Sequence, residues 1–342
     1  MCTSFRIKAE DGTVVVARSN EFGIDAQSQI VYEPAGKHFQ TTAPEGMEGL
    51  GWTSKYAFLG INGLGLKECF GEGMNAAGLS VEALYFSEGE YEAPGRLNIS
   101  SNDLVTWLLG NFSSVLEVKD ALPTVCVWPD SVEAIGGPFT LHYAIHDPSG
   151  ASIVLEFLKG AKHVHENPIG VMTNLPEFRW HLTNLRNYLP LSPSSPTLSN
   201  FSGVSLKPIG TGSGWLGVPG DWSPPSRFVR IAYLVHSTPR AKNRDEAISL
   251  ARHILNTVDI PKGSILAELH VNENDSAPLQ EYTQWSVLLD LSNRVFHYHT
   301  YHDTNIRSID LKRLVEVQKE TLVLPMETTF SSLDMTSRMA PL

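Results

Sequence analysis

The chain has 342 residues, with 26 basic against 37 acidic side chains and a formal net charge of -11. Hydrophobic residues make up 42% and charged residues 18%, globular proportions that exclude a largely disordered chain. The acidic balance, without a long run of Lys and Arg, argues against a nucleic-acid partner. No stretch approaches the roughly 18 consecutive apolar residues of a membrane-spanning helix.

The first third breaks into short runs punctuated by glycine. SFRIKA, TVVVARS, QIVYEP, YAFLGIN and LSVEALYF have the length and the β-branched or aromatic content of strands. NDLVTWLLGNF and SSVLEVKDAL, opening near Ser101 and Ser113, carry helical apolar spacing behind Ser or Asn start signals. FTLHYAIHD and ASIVLEFL predict a hairpin around Pro148-Ser149-Gly150, and the Ser-, Pro- and Gly-rich stretch from Leu189 to Pro225 predicts long loops. Two helices follow, in PSRFVRIAYLVHS and RDEAISLARHILNTV, and then two strands, YTQWSVLLDL and RVFHYHTYH. Strands and helices come in blocks, which predicts an α+β fold of mainly antiparallel sheets with helices laid over them.

Most motif-like features carry little chemistry. GTGSG at Gly210–Gly214 lacks the Lys-Ser/Thr of a phosphate loop, and no G-x-S-x-G elbow occurs. His297 and His299 share a strand face near His302 without a third metal ligand at good spacing, so a polar strand face is expected. Cys2, Cys69 and Cys126 are an odd, sparse set without a CxxC pair, which predicts neither disulfides nor structural zinc. No metal or cofactor is expected. MCTSFRIKAEDG has no apolar core of an export signal, so the chain as written is expected in the cytoplasm, or in the periplasm if an upstream leader was removed. Without such a leader the sequons at Asn98, Asn111, Asn200 and Asn274 carry no weight.

Cys2 differs. A small residue after the initiator permits Met1 to be removed, leaving a thiol and a free α-amine on one residue. A thiol needs a base, and an α-amine titrating near pH ~8 is partly neutral at pH 7, unlike a lysine amine. Arg18 and Glu21 close the second strand, where a hairpin would return them beside Cys2. A cation there favours a thiolate, and a carboxylate can orient the amine.

Together MCTSF, VVVARSNEF, GMNAAGLSVEALYF, NPIGVMTNLPEFRWHLTNLRNY, GVPGDWSPPSRFVR and EYTQWSVLLDLSNRVFHYHTY resemble the choloylglycine hydrolase and penicillin V acylase family, the cysteine branch of the N-terminal nucleophile (Ntn) hydrolases. The resemblance implies a single domain over residues 2–342, a four-layer αββα sandwich, frequent assembly as a tetramer, and hydrolysis of linear amides through Cys2. It places the family's active-site arginines at Arg18 and Arg227 and its oxyanion Asn at Asn174. The second oxyanion donor is the backbone N–H at the position held by Tyr85. The family's Asp falls on Glu21, a departure of one methylene.

The same resemblance bears on substrate. Bile salt hydrolases of the family commonly carry Asn where this chain has Tyr85, and penicillin V acylases carry Tyr. Phe22 occupies an aromatic position of Gram-negative-type acylases, some of which cleave N-acyl homoserine lactones. The expected substrate is therefore a small N-acyl amide whose acyl group packs on Phe22, Tyr85 and Phe86. Conjugated bile salts, a catalytically silent binding role, and acyl transfer to an amine stand as alternatives.

Overall fold

The computed structural model describes residues 1–267 and 278–339. Its first hairpin sets the frame. Strand β1 (Cys2–Lys8) turns at Gly12, which adopts a positive φ of 90° that few side chains tolerate, and returns as β2 (Val14–Phe22). Asp11 tightens the turn by accepting a hydrogen bond from the Thr13 N–H at 2.8 Å.

Around this hairpin a seven-stranded antiparallel sheet forms, in the order Val171–Met172, β1, β2, Gln280–Asp290, Val295–Thr300 and Arg307–Asp310, with Ile265–Leu266 pairing onto Gln280–Asp290. An eight-stranded antiparallel sheet packs against it. Its order is Ala161–Glu166, Ser152–Leu158, Leu141–His146, Ser80–Tyr85, Leu66–Asn75, Phe58–Gly63, Gln29–Glu33 and Leu322–Pro325.

Strand alternation then generates the layers. Val14, Val16, Val287 and Leu289 of the first sheet meet Ile30, Leu59, Ile61 and Met74 of the second between the sheets. The opposite face of the first sheet, with Phe5, Ile7, Val15 and Ala17, is covered by α4 (Pro224–Ser237) and α5 (Arg244–Leu255). The outer face of the second is covered by α1 (Leu104–Asn111) and α2 (Val115–Ala121). This is the expected αββα sandwich.

Several elements escaped the sequence pattern. Leu66–Asn75 is a ten-residue strand although LKECFGEGMN reads as polar and glycine-rich. A Cβ at its Gly73 would lie 2.5 Å from the Leu59 carbonyl oxygen of the neighbouring strand and 2.6 Å from Leu109 of α1, so glycine leaves room for the strand and the helix alike. The segment from Leu189 to Pro225 is mostly loop but holds a small hairpin of Ser199–Phe201 with Val204–Leu206. Asn98 and Asn111 are buried, with Asn98 bonded to the carbonyls of Glu48 and Gly95, which closes both sequons to modification; Asn274 lies outside the described residues.

Candidate active site

Counting back from the 9–13 turn puts Cys2 opposite Asn20 and Ser4 opposite Arg18. Cys2, Arg18 and Asn20 thus share the face turned toward the second sheet. Nη2 of Arg18 lies 3.6 Å from Cys2 Sγ and donates to Asn20 Oδ1 at 3.1 Å and to the Ala83 carbonyl at 2.9 Å. Asn20 Oδ1 is itself 3.7 Å from Sγ. The guanidinium is enclosed, 4.6 Å over the Trp285 ring, and its Nε faces Glu72 at 3.3 Å. A cation buried this deeply is stable only with such partners.

Glu72 and Glu82 are cross-strand neighbours on the second sheet, and of the two Glu72 is the one within ion-pair reach of Arg18. Burial pushes the Glu72 carboxyl up to about 7 although Arg18 pulls it back. Burial drives Glu82 well above the usual carboxylate range, and the nearby Glu72 adds to the rise. Burial with a carboxyl neighbour thus works against the charged form of Glu82.

The main chain of Cys2 is held from the other side of the sheet. Its N–H donates to Asn174 Oδ1 at 2.8 Å, and Arg227 Nη2 donates to the same oxygen at 2.7 Å. Arg227 Nη1 donates to the Cys2 carbonyl and to Thr3 Oγ1. Asn174 Nδ2 donates to the Tyr85 carbonyl at 2.7 Å, tying the two sheets together beside the sulfur.

Met1 precedes this centre, and its amino group donates to the Glu21 carbonyl at 2.6 Å and lies 3.2 Å from the Glu281 carboxylate. The Glu21 N–H in turn donates to the Met1 carbonyl at 2.8 Å. The Glu21 carboxyl accepts from Thr283 Oγ1 at 2.9 Å, so its main chain brackets the start of the chain while its side chain is engaged by Thr283. Burial raises the pKa of Glu21 against the pull of Arg227 and the amino terminus.

A cavity of about 100 Å³ opens on Cys2 and Arg18 and is walled by Phe22, Tyr85, Phe139 and Trp285. Tyr85 and Phe139 stack at 5.1 Å, and Phe22 meets Phe139 at 5.7 Å. A second cavity of about 490 Å³ lies between Met1, Tyr85, Ser87, Asn174, Leu266 and Glu281. Phe86 does not join either wall. It is fully buried and stacks on His142 at 4.7 Å, because neighbouring residues at a strand end point to opposite sides.

The structure thus brings Cys2, Arg18, Asn174, Arg227, Tyr85 and Phe22 together, and adds Asn20, Phe139, Thr283 and Glu281. Hairpin register alone would have found Asn20. Phe139 follows the two-residue strand Gly137–Pro138 without local signal. Among the described residues no cluster of three or more His, Cys, Asp or Glu side chains is arranged to hold a metal ion.

Behind the site His146 is sealed between the sheets, and burial together with Arg6 pushes its pKa down to about 3. An unfolded histidine titrates near ~6.5. As pH falls from there toward 3, the unfolded chain takes up a proton that the folded chain refuses, so stability falls with pH across that window. His146→Gln is expected to flatten the dependence of Tm on pH between about 6.5 and 3, as scanning calorimetry would show.

A family model for linear amide C–N hydrolases, the choloylglycine hydrolase family, matches residues 2–321. The chain is 32% identical to bile salt hydrolase/transferase from Clostridium perfringens over 320 residues, 92% of this chain and 93% of that protein. It is 25% identical to penicillin V acylase from Pectobacterium atrosepticum over 328 residues, 88% of this chain and 77% of that protein. The crystal structure of the C2A mutant of conjugated bile acid hydrolase from Clostridium perfringens superposes with a TM-score of 0.84 at 30% identity, covering 98% of this chain and all of the other.

Proposed function

The chain belongs to the choloylglycine hydrolase family of linear amide C–N hydrolases, and from that premise we propose that it cleaves small N-acyl amides with Cys2 as nucleophile. Removal of Met1 turns the Cys2 amide nitrogen into an amine able to accept the thiol proton. The thiolate then attacks the acyl carbonyl, the amine passes the proton to the leaving nitrogen, and water resolves the thioester. Arg18 faces the sulfur, and Asn174 Nδ2 with the Tyr85 N–H supplies donors for the oxyanion.

The observation that carries this reading is the 100 Å³ aromatic cavity opening on Cys2 Sγ. A dry cavity of roughly 150 Å³ is known to hold benzene, so this one suits a phenyl-sized or linear acyl group better than a steroid nucleus. The larger cavity, which loses Met1 as an occupant, receives the amine half. Glu281, which lines that cavity and is released from the Met1 amino group, then faces that half, and a like charge about 6–15 Å away costs about 1–3 kcal/mol in a partly buried site. Uncharged amine halves, such as a homoserine lactone, are therefore preferred over anionic ones.

The names of the bile salt hydrolase relatives favour a second reading, conjugated bile salts with transfer to an added amine as a further outcome. A panel of N-acyl homoserine lactones, phenoxyacetyl amides and glycine- or taurine-conjugated bile salts, assayed on protein shown by intact mass to lack Met1, separates the two. Faster turnover of the first two classes is expected, and a preference for bile conjugates would overturn it. Glu281→Gln is expected to improve anionic substrates about tenfold relative to neutral ones.

A further inference from the structure

Two histidines grip the main chain on either side of the Asn174 side chain. His142, on Leu141–His146, places Nε2 2.8 Å from the Thr173 carbonyl. His181, on α3 (Phe178–Asn184), places Nε2 3.0 Å from the Asn174 carbonyl. Both rings are buried and clamped by aromatic faces, His142 by Phe86 at 4.7 Å and His181 by Phe228 at 4.6 Å. Burial lowers His181 to about 4, so at neutral pH it carries one proton, and the carbonyl opposite requires that proton on Nε2.

Behind both histidines stands Glu156, which is wholly buried. Its Oε1 is 3.2 Å from His142 Nδ1 and accepts the Phe178 N–H at 2.9 Å, the first amide of the helix that carries His181. Its Oε2 is 3.3 Å from His165 Nε2. Burial alone would raise this carboxyl, but the neighbouring His142 and His165 rings and the Phe178 amide outweigh it and bring it down to about 2. A carboxylate committed to this extent, on a strand that does not touch the cavity, has no evident task except to hold what surrounds it.

We propose that Glu156 is a positioning residue for Asn174. Through His142 and through the start of α3 it fixes the 173–174 main chain from two directions and so aims the Asn174 carboxamide at the reacting centre. The inference rests on the reading of Asn174 as an oxyanion donor. A displacement of about 1 Å in such a donor can cost on the order of 100-fold in rate.

The test is a double-mutant cycle. Glu156→Gln keeps shape and an acceptor for the Phe178 amide but removes the charge that His142 faces. Its kcat is expected to fall about 10–100-fold, with KM within about threefold. In an Asn174→Ala background the same change is expected to cost no more than about twofold, because the residue it acts through is already gone. Alkylation of Cys2 by iodoacetamide keeps its wild-type rate. Additive losses in the cycle, a harmless Glu156→Gln, or slowed alkylation would each overturn the proposal.

Should Glu156→Gln fail to fold, His142→Gln and His142→Phe interrogate the same clamp. Gln keeps a donor for Thr173 and Phe does not, so Gln must retain clearly more kcat, and equal losses refute the clamp. If Asn174→Ala proves harmless, the oxyanion reading itself fails and the inference falls with it. If Asn174→Ala is damaging while the cycle is additive, only the inference fails.

Discussion

Replacement of Cys2 by alanine is expected to lower hydrolysis of every cleaved amide by at least about 10⁴-fold, the scale on which removal of a covalent nucleophile registers. Alanine is small enough for Met1 still to be removed, so the α-amine survives and the variant isolates the sulfur. The fold is expected to hold. Arg18 loses the sulfur at 3.6 Å but keeps Asn20, the Ala83 carbonyl and Glu72. Removal of Met1 is verified by intact mass, and turnover is followed by release of the free amine. Residual activity above about 1% of wild type would mean that the amine directs water at the carbonyl without a thioester, and the nucleophile assignment would fail. Wild-type protein that retains Met1 and cleaves nothing would instead support a silent binding role, since a Cys2 amide nitrogen is no base.

Much of this arrangement was legible in the amino-acid sequence, because it rests on local rules. The β-branched run in TVVVARS and the Gly12 turn suffice to pair β1 with β2, and that pairing brings Arg18 to Cys2. The helices α4 and α5 announce themselves by apolar spacing, and α4 carries Arg227 inward. What stayed hidden depends on contacts distant in sequence. The glycine-rich strand Leu66–Asn75 is fixed by its pairing with Phe58–Gly63 and Ser80–Tyr85, and it delivers Glu72 to Arg18. Phe139 becomes a cavity wall only once Tyr85 is there to stack on it. Phe86 read as a pocket residue because it adjoins Tyr85, yet consecutive strand positions diverge and it supports His142 instead. Glu21 shows the same limit: its place beside the chain start is legible, whereas the direction of its carboxyl is decided by Thr283, on a strand from the far end of the chain.

Asn174→Ala is expected to reduce kcat by about 10²–10³-fold while KM changes little, the pattern of a donor whose bond strengthens only as charge gathers on the carbonyl oxygen. Asn174 has no freedom to drift before that moment. Its Oδ1 takes the Cys2 N–H at 2.8 Å and Arg227 at 2.7 Å, and its Nδ2 is aligned on the Tyr85 carbonyl at 2.7 Å. Truncation removes the donor and also leaves an enclosed guanidinium N–H without its acceptor, which costs stability on the order of 1–3 kcal/mol. The two effects are separable. A fall in Tm reports the stranded Arg227, while kcat measured well below the transition reports the lost donor. Affinity for an aldehyde analogue of the acyl group, which becomes tetrahedral on adding Cys2, should fall in parallel with kcat, whereas affinity for the free acid product should not. Equal weakening of both ligands would assign Asn174 to ground-state binding, and the oxyanion would then need another donor than this carboxamide.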